Sequence, residues 1–370
     1  MENIKVVYPD YSNCSLNMTS AILNHYGLKC EYAPSQELLE ELSKDYETVV
    51  LMILDGMGTY IMKDNLKEDN FIKDYKVKDM TSVYPSSTVP STTSILTGKS
   101  PNETGWLGWQ QYFAKYNRNI VMFMGNDFYK NEDVKGFDAK EELPTKELCE
   151  LLSDKVKTYE IYPSFRKGGV KTFKEMTNRI LKYGNEEGKK FIYAYYDEPD
   201  HSMHHYGSRS DQVKKLLSIM DSKLRRLYRR MNDKTLIIIS ADHGQRDVKY
   251  FRLNDYEEFM DTLERLPSNE GRAAALKIKS GKKEQFLEQF NLHFKDYFKL
   301  YSKEELKSSK LLGLGKSNSR LDEFIDDYFM VSISDYNIYY DTGDIDFLLI
   351  GHHGGLTIDE MMVPMILLHK

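Results

Sequence analysis

Asp55, Asp200, His204, Asp242, His243 and the adjacent His352 and His353 are the side chains in this 370-residue sequence whose types and placement could do chemistry together. Carboxylates and neutral imidazoles are the ligands expected for zinc, manganese or iron. Asp200 and His204 stand four apart, so one helical turn can aim both at one ion. Asp242 and His243, adjacent on a tight turn, can serve a second ion. A hydroxyl-rich stretch, Ser86-Ser87-Thr88-Val89-Pro90-Ser91-Thr92-Thr93-Ser94, precedes and enters a short amphipathic helix. Backbone N–H groups at such a helix start can hold an anionic phosphoryl oxygen, and metal coordination can activate a Ser or Thr hydroxyl near neutral pH. Each piece alone has a plainer reading, as a helix cap or a turn residue. The recurrence of Asp and His at successive strand ends is what points to metal-assisted phosphoryl chemistry.

Other motifs fail on their own requirements. Gly56-Met57-Gly58 follows a strand, but position 61 is Ile where a dinucleotide-binding turn needs Gly or Ala. Thr97-Gly98-Lys99-Ser100 ends like a phosphate-binding loop, yet its first glycine would fall at position 93, which is Thr. His201 and His205 enclose Ser-Met-His and lack the glutamate of a zinc-protease helix, so they read as bystanders. The basic cluster Lys223, Arg225, Arg226, Arg229 and Arg230 reads as a solvated helix face.

The elements that must position these ligands are visible as apolar runs at 48–54, 191–196, 235–240, 347–350 and 363–368. Continuous runs of this length suit strands buried on both faces, as in a parallel sheet. Segments 173–183 and 213–231 carry apolar residues three and four apart, which predicts amphipathic helices. Strands alternating with helices argue for a doubly wound α/β sheet, whose carboxyl strand ends form the ligand crevice. The texture changes over 250–327, rich in Lys and Glu, with strands expected at 273–278 and 297–301 and a helix at 284–294. We read it as a small α+β insertion capping a catalytic domain of 1–249 and 328–370, the strand pattern resuming at 329–333.

Composition narrows the partners. With 51 basic and 57 acidic side chains the net charge is −6, which offers no attraction to a nucleic-acid polymer or an anionic membrane. No run approaches the roughly 18 apolar residues of a membrane span, and no export signal is read at the start, so a cytoplasmic location is expected. Cys14, Cys30 and Cys149 are scattered and form neither a disulfide framework nor a thiolate zinc site.

Five stretches, in order, carry a family resemblance: Leu54-Asp55-Gly56-Met57-Gly58, Ser87-Thr88-Val89-Pro90-Ser91-Thr92, Glu198-Pro199-Asp200-His201-Ser202-Met203-His204, Ala241-Asp242-His243-Gly244 and Gly351-His352-His353-Gly354-Gly355. The set resembles the type I phosphodiesterase/nucleotide pyrophosphatase family of the alkaline phosphatase superfamily. The resemblance implies a three-layer αβα sandwich, two zinc-like ions and a phosphothreonine intermediate in hydrolysis of a small phosphodiester or nucleotide. It implies Asp200, His204 and His353 around the first ion, and Asp55, Asp242 and His243 around the second, with Thr88 as the nucleophile bound there. His353 is preferred to His352 because the family's ligand immediately precedes the glycine. Where the family usually has Asn, this chain has Ser91, a shorter hydroxyl that could contact the phosphoryl group. Trp109 and Tyr112 are candidates for an aromatic wall against an apolar leaving group. A sulfatase would want Cys or Ser with Arg four residues on, where this chain has Thr88 and Thr92. The alternatives kept are a phosphomonoesterase or phosphonate hydrolase, for which Lys99 or Arg246 would supply the extra positive charge, and a non-catalytic metal-binding protein.

Overall fold

The computed structural model describes residues 4–343 and 348–370. Its central sheet has six strands in the order Lys76–Thr81, Met362–Leu368, Thr235–Ser240, Thr48–Leu54, Lys190–Tyr196 and Lys157–Ile161. Every residue of Thr48–Leu54 is buried, because this strand lies between Lys190–Tyr196 and Thr235–Ser240 with parallel pairing on both sides. Burial on both faces demands a layer of helices above and below. Helix Phe173–Gly184 meets this with Phe173, Met176, Ile180 and Leu181 turned inward, capped at its start by the Thr172 hydroxyl. Helix Asp211–Arg230 packs beside it through Val213, Leu217, Met220, Leu224 and Leu227, leaving the basic residues on its outer side. Ser15–His25 packs on both Gln36–Leu42 and Thr88–Thr97. The result is an alkaline-phosphatase-like α/β fold with helices covering a mixed sheet.

Two expectations need correction. Met362–Leu368 runs antiparallel to both of its neighbours, since an unbroken apolar run reports two-sided burial and says nothing of direction. Residues 348–350 form no strand, and residue 347 lies outside the described residues. Pairing starts instead at Gly351–His352, which lies antiparallel to Arg246–Asp247. Lys76–Thr81 and Lys157–Ile161, at the sheet's two edges, carry no apolar run and were not expected.

A second, antiparallel sheet is ordered Phe298–Ser302, Tyr328–Ser332, Ala273–Leu276, Ser268–Asn269, Gln110–Phe113 and Arg118–Val121. Strands from 268–332 thus share a sheet with the stretch just beyond the hydroxyl-rich helix. Lys283–His293 buries Phe286 and Phe290 in a cluster with Phe259, Phe294 and Phe298.

Candidate metal centre

The ligand candidates arrive from four separate places at the carboxyl side of the central sheet. Asp55 follows Thr48–Leu54, and its N–H continues the ladder by bonding the Tyr196 carbonyl at 2.9 Å. Asp200 opens helix Asp200–Tyr206, with His204 one turn along. Asp242 and His243 follow Thr235–Ser240. His353 follows the short strand Gly351–His352. The Asp55 and His243 turns can meet because their glycines touch: a Cβ on Gly58 would lie 2.6 Å from Gly244 Cα, and one on Gly244 would lie 1.9 Å from the Asp359 carbonyl oxygen. Only glycine fits either place.

Two groups of buried side chains bring one donor atom each within 4.8 Å of one another: Asp200, His243 and His353, and Asp55, Asp242 and His243. His204 adjoins the first group, its Nε2 lying 3.1 Å from Asp200 Oδ2. His353 Nε2 lies 3.7 Å from Asp200 Oδ1, and its ring centroid is 3.9 Å from that of His243. His352 instead pairs its backbone with Arg246 and turns its ring toward His204 and Tyr250.

The chemistry of these donors fits a pair of cations. The Gly351 carbonyl can only accept, so at 2.7 Å it takes the Nδ1–H of His204 and leaves Nε2 to face Asp200. His243 is held the same way by the Gly244 carbonyl at 2.9 Å, so its Nε2 faces Asp55 Oδ1 at 3.3 Å and Asp242 Oδ2 at 3.5 Å. A neutral imidazole would set a lone pair against carboxylate oxygens there, an arrangement that calls for a proton or a metal between them. Asp55 Oδ1, Asp242 Oδ2 and His353 Nδ1 are also buried without a hydrogen-bond partner, which is costly unless a cation takes up at least the carboxylates.

Charge strain shows in the proton affinities. Burial, then the Asp242 and Asp200 charges, pushes Asp55 well above the ordinary carboxylate range. Burial and the Asp200 charge push Asp242 up to about 7. Burial acts upward on Asp200 too, but the His204, His353 and His243 imidazoles outweigh it and hold that group low. Burial acts downward on His204, and Asp200 overcomes it, raising the imidazole to about 9.

Thr88 is the first residue of helix Thr88–Thr97, and its Oγ1 lies 3.1 Å from His243 Nε2. Pro90 suits the first turn because its missing N–H would have had no intrahelical partner. Gly98 ends the helix in the left-handed conformation at φ 68°. Ser91 is fully buried, its hydroxyl 3.0 Å from that of Ser82, which in turn donates to the Asp242 carbonyl at 2.5 Å. Through Ser82 it ties the Thr88–Thr97 helix to the Asp242 turn. Tyr112 donates to Asn117 at 2.8 Å and carries the Arg265 guanidinium 3.7 Å from its ring centre, so it is engaged within the second sheet. Trp109 is half-buried, with the exposed Phe123 edge-on at 6.0 Å.

Further residues of the site carry no sequence signal of this kind. The Tyr195 hydroxyl donates to Asp55 Oδ2, and the ring of Phe165, 64% exposed, stands edge-on to Tyr195 at 6.4 Å. Gln245 donates to Asp200 Oδ1 at 2.9 Å. Glu270, from the second sheet, accepts from the Ser87 hydroxyl and from the Trp109 N–H. Only Gln245 was within reach of sequence reasoning, two residues after a ligand candidate.

A helix-covered mixed sheet with two carboxylate–imidazole groups and a threonine hydroxyl at its carboxyl end belongs to the alkaline-phosphatase-like class. Residues 49–355 match the model of the type I phosphodiesterase/nucleotide pyrophosphatase family, and the chain belongs to that family. It is 29% identical over 194 residues to human ectonucleotide pyrophosphatase/phosphodiesterase family member 1, covering 48% of this chain and 21% of that protein. It is 26% identical over 204 residues to human family member 5, covering 54% of this chain and 41% of that protein. The chain therefore spans less than half the length of these curated relatives. Murine ectonucleotide pyrophosphatase/phosphodiesterase 5 shares the fold with a TM-score of 0.65 at 15% identity, over 86% of this chain and 87% of that one. The human counterpart gives 0.64 at 18% identity, over 87% of each chain.

Proposed function

We propose that this protein hydrolyses small phosphodiesters or nucleotide phosphoanhydrides through a phosphothreonine at Thr88. The observation that carries the proposal is the Thr88 hydroxyl 3.1 Å from His243, beside two groups of buried acidic and imidazole donors. Asp200, His204 and His353 would hold one divalent ion, and Asp55, Asp242 and His243 the other, with zinc the proposed metal and manganese or iron the alternatives. Bound there, the ions would stabilise the oxygens that gain charge and favour the ionised hydroxyl.

The chain's own part is placement. Thr88 Oγ forms a bond to phosphorus as the bond to the leaving oxygen breaks, and the leaving group departs with a proton. Backbone N–H groups at the start of the Thr88–Thr97 helix would help hold a phosphoryl oxygen. Water then attacks the phosphothreonine from the opposite side, breaking the Thr88–phosphorus bond and restoring the hydroxyl. The structural neighbour's complex of an inactive variant with AMP supports a nucleotide as one substrate class.

The charge needed for a phosphomonoesterase is poorly supplied. Lys99 lies beyond the far end of the Thr88–Thr97 helix, and Arg246 donates to Asp359 at 2.5 Å. The test is metal-supported hydrolysis of bis(p-nitrophenyl) phosphate against p-nitrophenyl phosphate, run on the wild type and on Thr88→Ala. A diester preference that disappears with Thr88→Ala is expected. Full activity in Thr88→Ala would end the proposal.

A further inference from the structure

Glu270 is an acidic side chain set against the immediate neighbours of Thr88 and His353. It lies in the turn between Ser268–Asn269 and Ala273–Leu276, and its Oε1 accepts from the Ser87 hydroxyl and from the Trp109 N–H at 2.7 Å. Ser87 immediately precedes the nucleophile. On another side lies Gly354, next to His353, where an added Cβ would come within 3.6 Å of Glu270 Cβ and Cγ. Glu270 is therefore walled in by the neighbours of Thr88 and His353, with the half-buried Trp109 between it and the exposed Phe123.

Both hydrogen bonds go to Oε1, and among the described residues no ion pair to Glu270 is present. Arg272, two positions on, is bound to Glu360 through two contacts of 2.7 Å. Burial raises the Glu270 carboxyl to about 7, so it is ionised in mildly alkaline solution. Both observed hydrogen bonds could be accepted by a glutamine oxygen, so they alone do not account for a carboxylate here.

We propose that Glu270 is a specificity-determining residue that selects monoanionic phosphodiesters over dianionic phosphomonoesters. This deepens the proposed function and rests on it for the placement of the phosphoryl group. Repulsion between two anions grows with the product of their charges, so a fixed carboxylate beside the phosphoryl site opposes a dianion twice as strongly as a monoanion. A partly desolvated cleft preserves that difference better than open water does.

The test is equilibrium binding of p-nitrophenyl phosphate and bis(p-nitrophenyl) phosphate to zinc-loaded Thr88→Ala protein, with and without Glu270→Gln. At a pH of about 8.5, where the carboxyl is ionised, Glu270→Gln should tighten the monoester about fivefold or more and move the diester less than about twofold. Glu270→Ala, which also removes the acceptor, should show the same charge-selective gain. Equal changes for both esters, or a loss for both in Glu270→Ala with none in Glu270→Gln, would mean a structural acceptor only and overturn the proposal. Binding to the Thr88→Ala protein does not depend on turnover. A wild type that hydrolyses neither ester would refute the proposed function, while the binding comparison would still decide the role of Glu270.

Discussion

The Thr88 hydroxyl and the His243 imidazole meet at 3.1 Å although 155 positions separate them in sequence. One stands at the start of a helix, the other just past the end of an interior strand. The Gly244 carbonyl takes the Nδ1–H of His243, so Nε2 is the atom turned toward both Thr88 and the Asp55 and Asp242 carboxylates. A cation shared by His243, Asp55 and Asp242 would lie next to the Thr88 oxygen.

That adjacency makes a covalent intermediate testable. Acid quenching during hydrolysis of bis(p-nitrophenyl) phosphate should leave a phosphoryl adduct on the peptide containing Thr88, read by mass spectrometry. Thr88→Ala should lower kcat/KM on the order of a thousandfold, while Thr88→Ser, which keeps a hydroxyl, should retain far more. An adduct found only at another residue would move the nucleophile there.

Removing the metals should couple stability to pH. Asp242, raised to about 7 from an ordinary 3.8, and Asp55, also raised well above its ordinary value, bind their protons more tightly folded than unfolded. The stability they contribute is complete below about pH 4 and is lost as pH rises through their folded values. His204, raised to about 9, acts in the same direction over its own range. Asp200, held low, acts oppositely, but only in acid below about pH 4. His352 and His353, held well below their ordinary value by burial, act oppositely below about pH 6.5. Chelator-treated protein should therefore melt at falling temperatures from about pH 7 to about pH 9, and zinc should restore most of the loss at the alkaline end. Equal melting temperatures across that range without metal would contradict the charge strain described.

Tyr195 offers a narrower test. Its hydroxyl fixes Asp55 Oδ2, leaving Oδ1 for the face shared with His243. Tyr195→Phe keeps the buried ring and removes only that bond. Affinity for the ion on the Asp55 side should fall about tenfold to a hundredfold in a chelator competition, with little change in the fold seen by circular dichroism. Unaltered affinity would reduce Tyr195 to a packing residue.

The parts of the site that could be read from sequence are those in which chemistry and pattern coincide. Asp55, Asp242 and His243 follow apolar runs long enough to mark buried strands, and Asp200 and His204 share one helical turn. Tyr195 lies within such a run and looks like any core aromatic, since alternation along a strand does not say which hydroxyl reaches a carboxylate. Glu270 sits among many charges in a segment whose partner strand, Gln110–Phe113, is more than 150 positions away. The edge strands Lys76–Thr81 and Lys157–Ile161 face solvent in part and so lack the continuous apolar pattern that exposed the interior ones. Ser91, one turn after Thr88, is buried with its hydroxyl against that of Ser82, a partner that residue type and spacing alone do not indicate.

The second sheet also anchors the loop that carries His353. Arg272 and Glu360 are both fully buried and joined by two bonds of 2.7 Å, while Arg272 also donates to the Ser334 and Tyr336 carbonyls. Glu360 receives the Gly355 N–H at 2.7 Å and the Thr357 hydroxyl at 2.6 Å, which pins the chain just after His353. Burial acts to raise the Glu360 carboxyl, and Arg272 with these donors overcomes it and holds it below its ordinary value. Arg272→Met would strand that charge in the core, so unfolding free energy should drop by about 3–5 kcal/mol in urea titration. Adding Glu360→Gln should recover part of the loss, because the stranded charge goes with it. Zinc affinity should stay weakened in the double variant, because the Arg272 bonds that hold the loop after His353 are still missing. If stability and zinc affinity recovered together, the pair would serve the fold alone; if stability returned without zinc affinity, the ion pair also positions His353.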